Sequence, residues 1–317
     1  MSTVAGQLPE RRHLEAFLAV VDHGGFTAAA HRLGKTPSAV AQALRQLERV
    51  VGAELFIRSA RPFRLTVAGR AAEPIARRAL RDLGMFSSVA STDPDSLTGR
   101  LTICTLSTMS AQPVAQLVGA YRARYRGVRV DITAPHTHSV AEVLNAVRTR
   151  HADIGITEFP VETRGLRAIE FDRQEFVAAL PPGTGRQGHP ITAAEFAAIG
   201  LVVGPFFKTS TAYPLLESAF RGISDHITVL ADHRPSLIHL VAEGVGATLV
   251  HGQQALVARQ LGCETVHFEP ALYRRAGLVH PGEDLSPTAA AFVRLCREPP
   301  FRAASAPPPV RPARPQR

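Results

Sequence analysis

Apolar residues recur at helical spacing three times within the first fifty positions. Leu14, Phe17, Leu18 and Val21 predict a helix over 13–23. Gly24 and Gly25 close it, because glycine accepts the left-handed conformation that ends a helix. Phe26 and Thr27 open a short second helix, with Thr27 as its cap and Ala28, Ala29, Ala30 and Leu33 packing closely before Gly34. A third helix runs from Thr36 or Ser38 to about Val51 and buries Val40, Leu44, Leu47 and Val51. Two helices joined by a tight glycine turn, the second begun by a capping residue, form a helix-turn-helix pattern. Residues 55–58 and 65–67 then read as two short strands around a basic loop at 59–64, the outline of a wing. An alanine-rich amphipathic helix is expected over 68–90, with Ile75, Ala79, Leu83 and Phe86 along one side and Pro74 tolerated only with local adjustment. Such connectors commonly pair with a copy of themselves.

Turn-forming residues at 91–96 (STDPDS) mark a boundary. Beyond it, apolar strand candidates at 100–106, 128–134, 153–157, 176–180, 200–203, 227–230, 247–250 and 276–279 alternate with helical stretches. Those lie at 110–125, 139–149, 212–220, 236–242, 253–261 and 287–296. Alternation predicts an α/β fold with largely parallel sheets, and about 200 residues suit two small lobes. The stretch 302–317, dominated by Ala, Pro and Arg, reads as disordered. The expected units are therefore 1–67, a linker and dimerisation helix at 68–90, a two-lobed domain at 91–301, and a tail at 302–317.

Charge sharpens this division. The net charge is +9 over 317 residues, yet residues 1–90 hold 13 Lys and Arg against 7 Asp and Glu, a surplus of six. Residues 91–301 hold 19 against 20, and the tail adds four arginines. A basic first module on a nearly neutral second one is the footprint expected when only the first meets a phosphate backbone. No run approaches the roughly 18–20 apolar residues of a spanning helix, and no export signal opens the chain, so a cytoplasmic protein is expected without a membrane partner. Cys104, Cys263 and Cys296 stand apart, without ligand spacing.

The order of Phe17, Gly25, Phe26, Thr27, Ala29, Ala30, Leu33, Ser38, Ala39, Val40, Leu47, Glu48, Gly52, Leu55, Phe56, Arg58, Leu65, Thr66 and Gly69 resembles the DNA-binding domain of LysR-type transcriptional regulators. GRLTIC at 99–104, YRGVRV at 125–130, HADIGIT at 151–157 and VAEGVGATLV at 241–250 resemble that family's sensor segments more weakly. The resemblance covers about residues 12–297. It implies a winged helix-turn-helix, a long linker helix and a two-lobed α/β sensor similar to type 2 periplasmic binding proteins, with a central ligand cleft. It also implies a homodimer or homotetramer that reads a dyad operator in double-stranded DNA.

A recognition helix offers base edges only the side chains of its N-terminal half. Here these are Thr36, Ser38, Ala39 and Gln42, with Arg45 a turn further on. Gln42 suits adenine, Ala39 a thymine methyl, and Thr36 or Ser38 a base or phosphate. Family members often carry Ser and Arg where Ala41 and Gln42 stand, which leaves the base preference open. Arg58, Arg61 and Arg64 of the wing suit phosphates, and Thr27 resembles a family phosphate contact.

Effectors between two α/β lobes sit at strand carboxyl ends and helix N-termini. Ser107 and Thr108 after the first strand, and Lys208, Thr209 and Ser210 before a later helix, suit a small carboxylate. Thr108 and Ser210 align best with the family's effector contacts. His136, Thr137 and His138 follow the second strand and are further candidates. Two histidines without a third ligand do not make a metal site, and no metal or cofactor is expected. The chain contains no GxSxG, HExxH, Walker loop or strand-linked GxGxxG, so no enzyme is expected. Two other readings stand beside the effector-controlled regulator: one that senses oxidants through its cysteines, and a solute-binding module without a gene-regulatory role.

Overall fold

The computed structural model describes residues 8–57, 63–86, 97–135, 137, 139–282 and 285–298. They form two compact units, one of 1–99 with 148–152 and one of 100–147 with 153–317.

In the first unit, helices α1 (Arg11–His23), α2 (Phe26–Leu33) and α3 (Pro37–Val51) pack around Leu14, Phe17, Ala29, Val40, Leu44 and Leu47. Gly24, Gly34 and Gly52 each end a helix with a positive φ, as glycine allows. Val51, expected in the core, is instead 44% exposed, because α3 has run past the edge of the three-helix core by its last turn. Strands β1 (Phe56–Ile57) and β2 (Arg64–Leu65) pair antiparallel. Helix α4 (Val67–Phe86) follows, its start held by Thr66: the Gly69 amide donates to Thr66 Oγ1 at 3.0 Å, and that hydroxyl donates to the Glu54 carbonyl at 2.7 Å. A Cβ on Gly69 would lie 2.1 Å from the Leu55 carbonyl oxygen, so only glycine lets α4 lie this close to the strands.

In the second unit, a six-stranded sheet has the order β4-β3-β5-β10-β6-β9. Its strands are β3 (Gly99–Thr105), β4 (Val128–Thr133), β5 (Ile154–Phe159), β6 (Arg167–Leu180), β9 (Thr248–Val250) and β10 (Glu264–His280). A separate pair, β7 (Leu201–Val203) and β8 (Ile227–Leu230), is parallel. The expectation of largely parallel sheets needs correction. Parallel pairing joins β3 and β5, but β10 runs antiparallel to both β5 and β6. The apolar runs at 176–180 and 276–279 are only the ends of β6 and β10, which are 14 and 17 residues long. Their middles carry Glu170, Asp172, Arg173, Gln174, Arg274 and Arg275, which hid them from an apolar-run reading. These two long strands join the lobes.

One lobe carries helices α5 (Ser107–Met109), α6 (Ala115–Arg124), α7 (Val140–Arg148) and α12 (Pro287–Arg297). The other carries α8 (Ala193–Ala198), α9 (Ala212–Ala219), α10 (Arg234–Ala242) and α11 (Gln253–Gln260) around Leu180, Phe196, Leu201, Leu216 and Phe268. The helix expected at 110–125 is regular only from Ala115. Pro113 has no N–H and holds Gln112 extended, which breaks the first turns. Among the described residues no helix is long and apolar enough to cross a membrane.

Candidate functional site

Two places gather the chemistry that the sequence singled out. The first is the outer face of α3. Thr36 caps this helix by accepting from the Ala39 amide at 3.2 Å, and its hydroxyl lies 3.0 Å from Ser38 Oγ. Thr36, Ser38, Ala39, Gln42 and Arg45 are all exposed, on the side opposite the buried Val40, Leu44 and Leu47. The helix is keyed in place from behind. Buried His13 of α1 accepts from the Glu10 amide through Nδ1, so its Nε2 donates to Gln46 Oε1 at 2.8 Å. Glu48 accepts from the Leu55 amide at 2.9 Å. Thr27 is exposed in the first turn of α2, but it does not cap that helix. Gly25 is the cap residue, since the chain turns helical two residues earlier than a Thr27 cap would require. Arg64 is exposed on β2, while Arg58 and Arg61 lie outside the described residues.

The second place lies between the two lobes of the second unit. Arg274 of β10 and Glu158 at the end of β5 are buried and ion-paired at 2.9 Å. Arg274 also donates through Nε to Gln174 Oε1 at 2.7 Å, through Nη2 to the Thr108 carbonyl at 3.0 Å, and to His251 Nε2. Glu158 reaches both lobes: its carboxylate accepts from Thr108 Oγ1 at 3.5 Å and from the Thr211 amide at 3.4 Å. Gln174 in turn donates to Asp172 at 2.7 Å. A further bridge spans the cleft where the Gln253 amide, at the start of α11, donates to Gln112 Oε1 at 3.0 Å.

Burial sets the protonation of this cluster. It brings the Arg274 guanidinium down to about 10, against the pull of Glu158, so the group stays charged near neutrality. The same desolvation, and after it the charge of Arg274, drives the His251 imidazole well below its usual value; Arg234 adds to that shift, and the backbone at His251 and Thr108 opposes it. A neutral ring that accepts at Nε2 must carry its proton on Nδ1. His251 Nδ1, Ser107 Oγ and Thr211 Oγ1 are all buried without a hydrogen-bond partner, as is the acceptor Asp172 Oδ1. Buried polar atoms are normally paired, so a group of orphans at one cleft points to a missing ligand.

Of the predicted sensor residues, Ser107 and Thr108 stand at this cleft. Thr209 and Ser210 precede α9 as expected, but their hydroxyls close a tight turn on the carbonyls of Phe206 and Phe207, at 3.1 and 2.7 Å. Lys208 in that turn is exposed. Thr137 binds Glu142 through both its amide and its hydroxyl at the start of α7. His136 and His138 lie outside the described residues. Sequence reasoning missed Glu158, Asp172, Gln174, Arg234, His251 and Arg274. A charge in the apolar run ITEF (156–159) was the one signal available for Glu158.

The bacterial regulatory helix-turn-helix domain of the lysR family matches residues 11–70, and the LysR substrate binding domain matches residues 94–299. The chain belongs to the LysR family. The HTH-type transcriptional regulator IlvR of Caulobacter vibrioides is 29% identical over 293 residues, which span 90% of this chain and 97% of that protein. A probable hydrogen peroxide-inducible genes activator of Mycobacterium leprae is 29% identical over 75% of this chain and 76% of its own length. Full-length CbnR, solved in complex with its target DNA, superposes with a TM-score of 0.63 at 21% identity, over 91% of this chain and 99% of that one. LysR-family regulators bind double-stranded DNA and small-molecule effectors, form dimers or tetramers, and are generally not enzymes. The helix-turn-helix match removes the reading of a solute-binding module without a regulatory role.

Proposed function

We propose that this LysR-type chain is a cytoplasmic, non-enzymatic regulator that reads a dyad operator with paired α3 helices and is switched by an anionic metabolite in its interlobe cleft. Ser38, Ala39, Gln42 and Arg45 meet base edges in the major groove, while Thr27, Thr36 and the wing residues Arg58, Arg61 and Arg64 meet phosphates. The pairing surface is the outward side of α4. The units are 1–67, 68–90 and 91–301, followed by a tail at 302–317. Effector groups are received by Ser107 and Thr108 from one lobe, by the 208–210 turn with Thr211 from the other, and by His136 after β4.

The observation that carries the sensor half is the set of buried, unpartnered polar atoms on both sides of one cleft. An effector that completes them binds a closed arrangement better than an open one, and only such a difference shifts an equilibrium between two assembly states. The redox alternative loses support. Cys104, Cys263 and Cys296 are buried, and burial raises all three thiols above their usual value, which suppresses the thiolate that oxidants attack.

Footprinting of the full chain on DNA from upstream of its own gene tests the reading. Two inverted protected half-sites, about one helical turn or a multiple apart, are expected. Uniform protection or none contradicts it.

A further inference from the structure

Among the described residues, one cation of the lobe that carries α10 has no hydrogen-bond or ion-pair partner. Arg234 opens α10, a nine-residue helix, in the lobe that also carries His251. Its guanidinium hangs over the carboxyl end of β7: a Cβ built on Gly204 would lie 4.0 Å from Arg234 Nη1. The Glu158 carboxylate acts on its charge, and that charge in turn lowers the Arg274 and His251 groups, in keeping with a place on the cleft side of this lobe. Glu158, the carboxylate whose charge acts on Arg234, is already committed to Arg274, Thr108 and Thr211.

At the α9 start the side chains of the 208–211 turn remain for a ligand, but the first amide does not. There the chain's own Glu158 carboxylate takes the Thr211 amide, so a ligand carboxylate meets an occupied helix N-terminus. The vacancy for negative charge lies instead at Arg234. A half-buried guanidinium without a counter-ion is poised for an anion, and its planar fork matches a carboxylate or sulfate bidentately. His251, 4% exposed, meets Arg274 through Nε2 and has no hydrogen-bond partner at Nδ1, and the hydroxyls of Ser107 and Thr211 are likewise buried without a partner.

We infer that Arg234 is the specificity-determining cation of the cleft, receiving the anionic group of the effector, with His251 Nδ1–H and the Ser107 and Thr211 hydroxyls completing the shell. The inference rests on the reading of the cleft as the site of an anionic effector and adds to it the residue that selects that charge.

Thermal unfolding of the full-length protein with benzoate, succinate or sulfate, against benzamide and succinamide at matched ionic strength, tests it. At least one anion is expected to raise the Tm of the unaltered chain, whereas its neutral amide does not. Arg234→Gln should abolish that shift and Arg234→Lys should keep part of it. Without ligand, Arg234→Gln should melt no lower than the unaltered chain, because no internal partner is lost. A shift that survives Arg234→Gln, or a lower Tm for that variant alone, overturns the assignment. A shift produced equally by the amides keeps the cleft as the effector site but removes Arg234 from the role. No shift by any anion overturns the assignment and counts against the cleft reading as well.

Discussion

Burial turns His251 from a surface titrating group into a fixed neutral donor, and this has a consequence in solution. Its folded-state pKa is depressed, by desolvation first and by Arg274 and Arg234 second. In the unfolded chain the ring titrates near 6.5. Below that pH the unfolded state binds a proton that the folded state refuses, so stability falls as pH drops. His280, also depressed chiefly by burial, contributes in the same direction. Each ring adds a slope of up to about 1.4 kcal/mol per pH unit below pH 6.5. Urea unfolding of the full chain between pH 7.5 and 5.5 should show this loss. His251→Gln keeps an acceptor for Arg274 and should remove one ring's share. An unchanged slope in the variant would show that the imidazole is protonated in the folded state.

At the scale of elements, α4 has two unlike sides. Ala72, Ala76, Ala79 and Leu80 face the three-helix core, while Ile75 and Leu83 stand 68% and 47% exposed. Apolar residues left outside on a connector helix are the side expected to meet a second copy. Replacing Ile75 and Leu83 together by Asp should lower the oligomeric mass in sedimentation equilibrium and leave the helix content unchanged. Undiminished mass would move the interface elsewhere.

Much at this scale was legible beforehand. The stripes Leu14, Phe17, Leu18 and Val40, Leu44, Leu47 announced α1 and α3, because each helix buries one side against a single core. β6 and β10 were legible only at their apolar ends, since a strand that crosses between lobes borders a polar cleft and loses its hydrophobic signature. The short α8 escaped notice for a different reason: six residues make too little periodicity to read. Thr108 was legible because a hydroxyl at a strand end is a recognisable cue. Arg274, Arg234 and His251 were not, because a charged residue in sequence gives no sign of whether water or another charge surrounds it.

At the scale of the whole molecule, the uneven charge fits a division of labour. The surplus of six positive charges lies in residues 1–90, the part that carries the exposed face of α3, whereas residues 91–301 hold 19 Lys and Arg against 20 Asp and Glu. Phosphate contacts made by the first unit hold the chain on any duplex, and the α3 side chains decide which duplex it prefers. Selection of duplexes from a randomised pool by the full-length chain tests that most directly. The expected result is an enriched motif of two inverted half-sites, with Gln42→Ala relaxing the preference at one base pair in each half-site by about 1–3 kcal/mol. A pool that shows no enriched motif, or a motif indifferent to Gln42→Ala, would contradict the account.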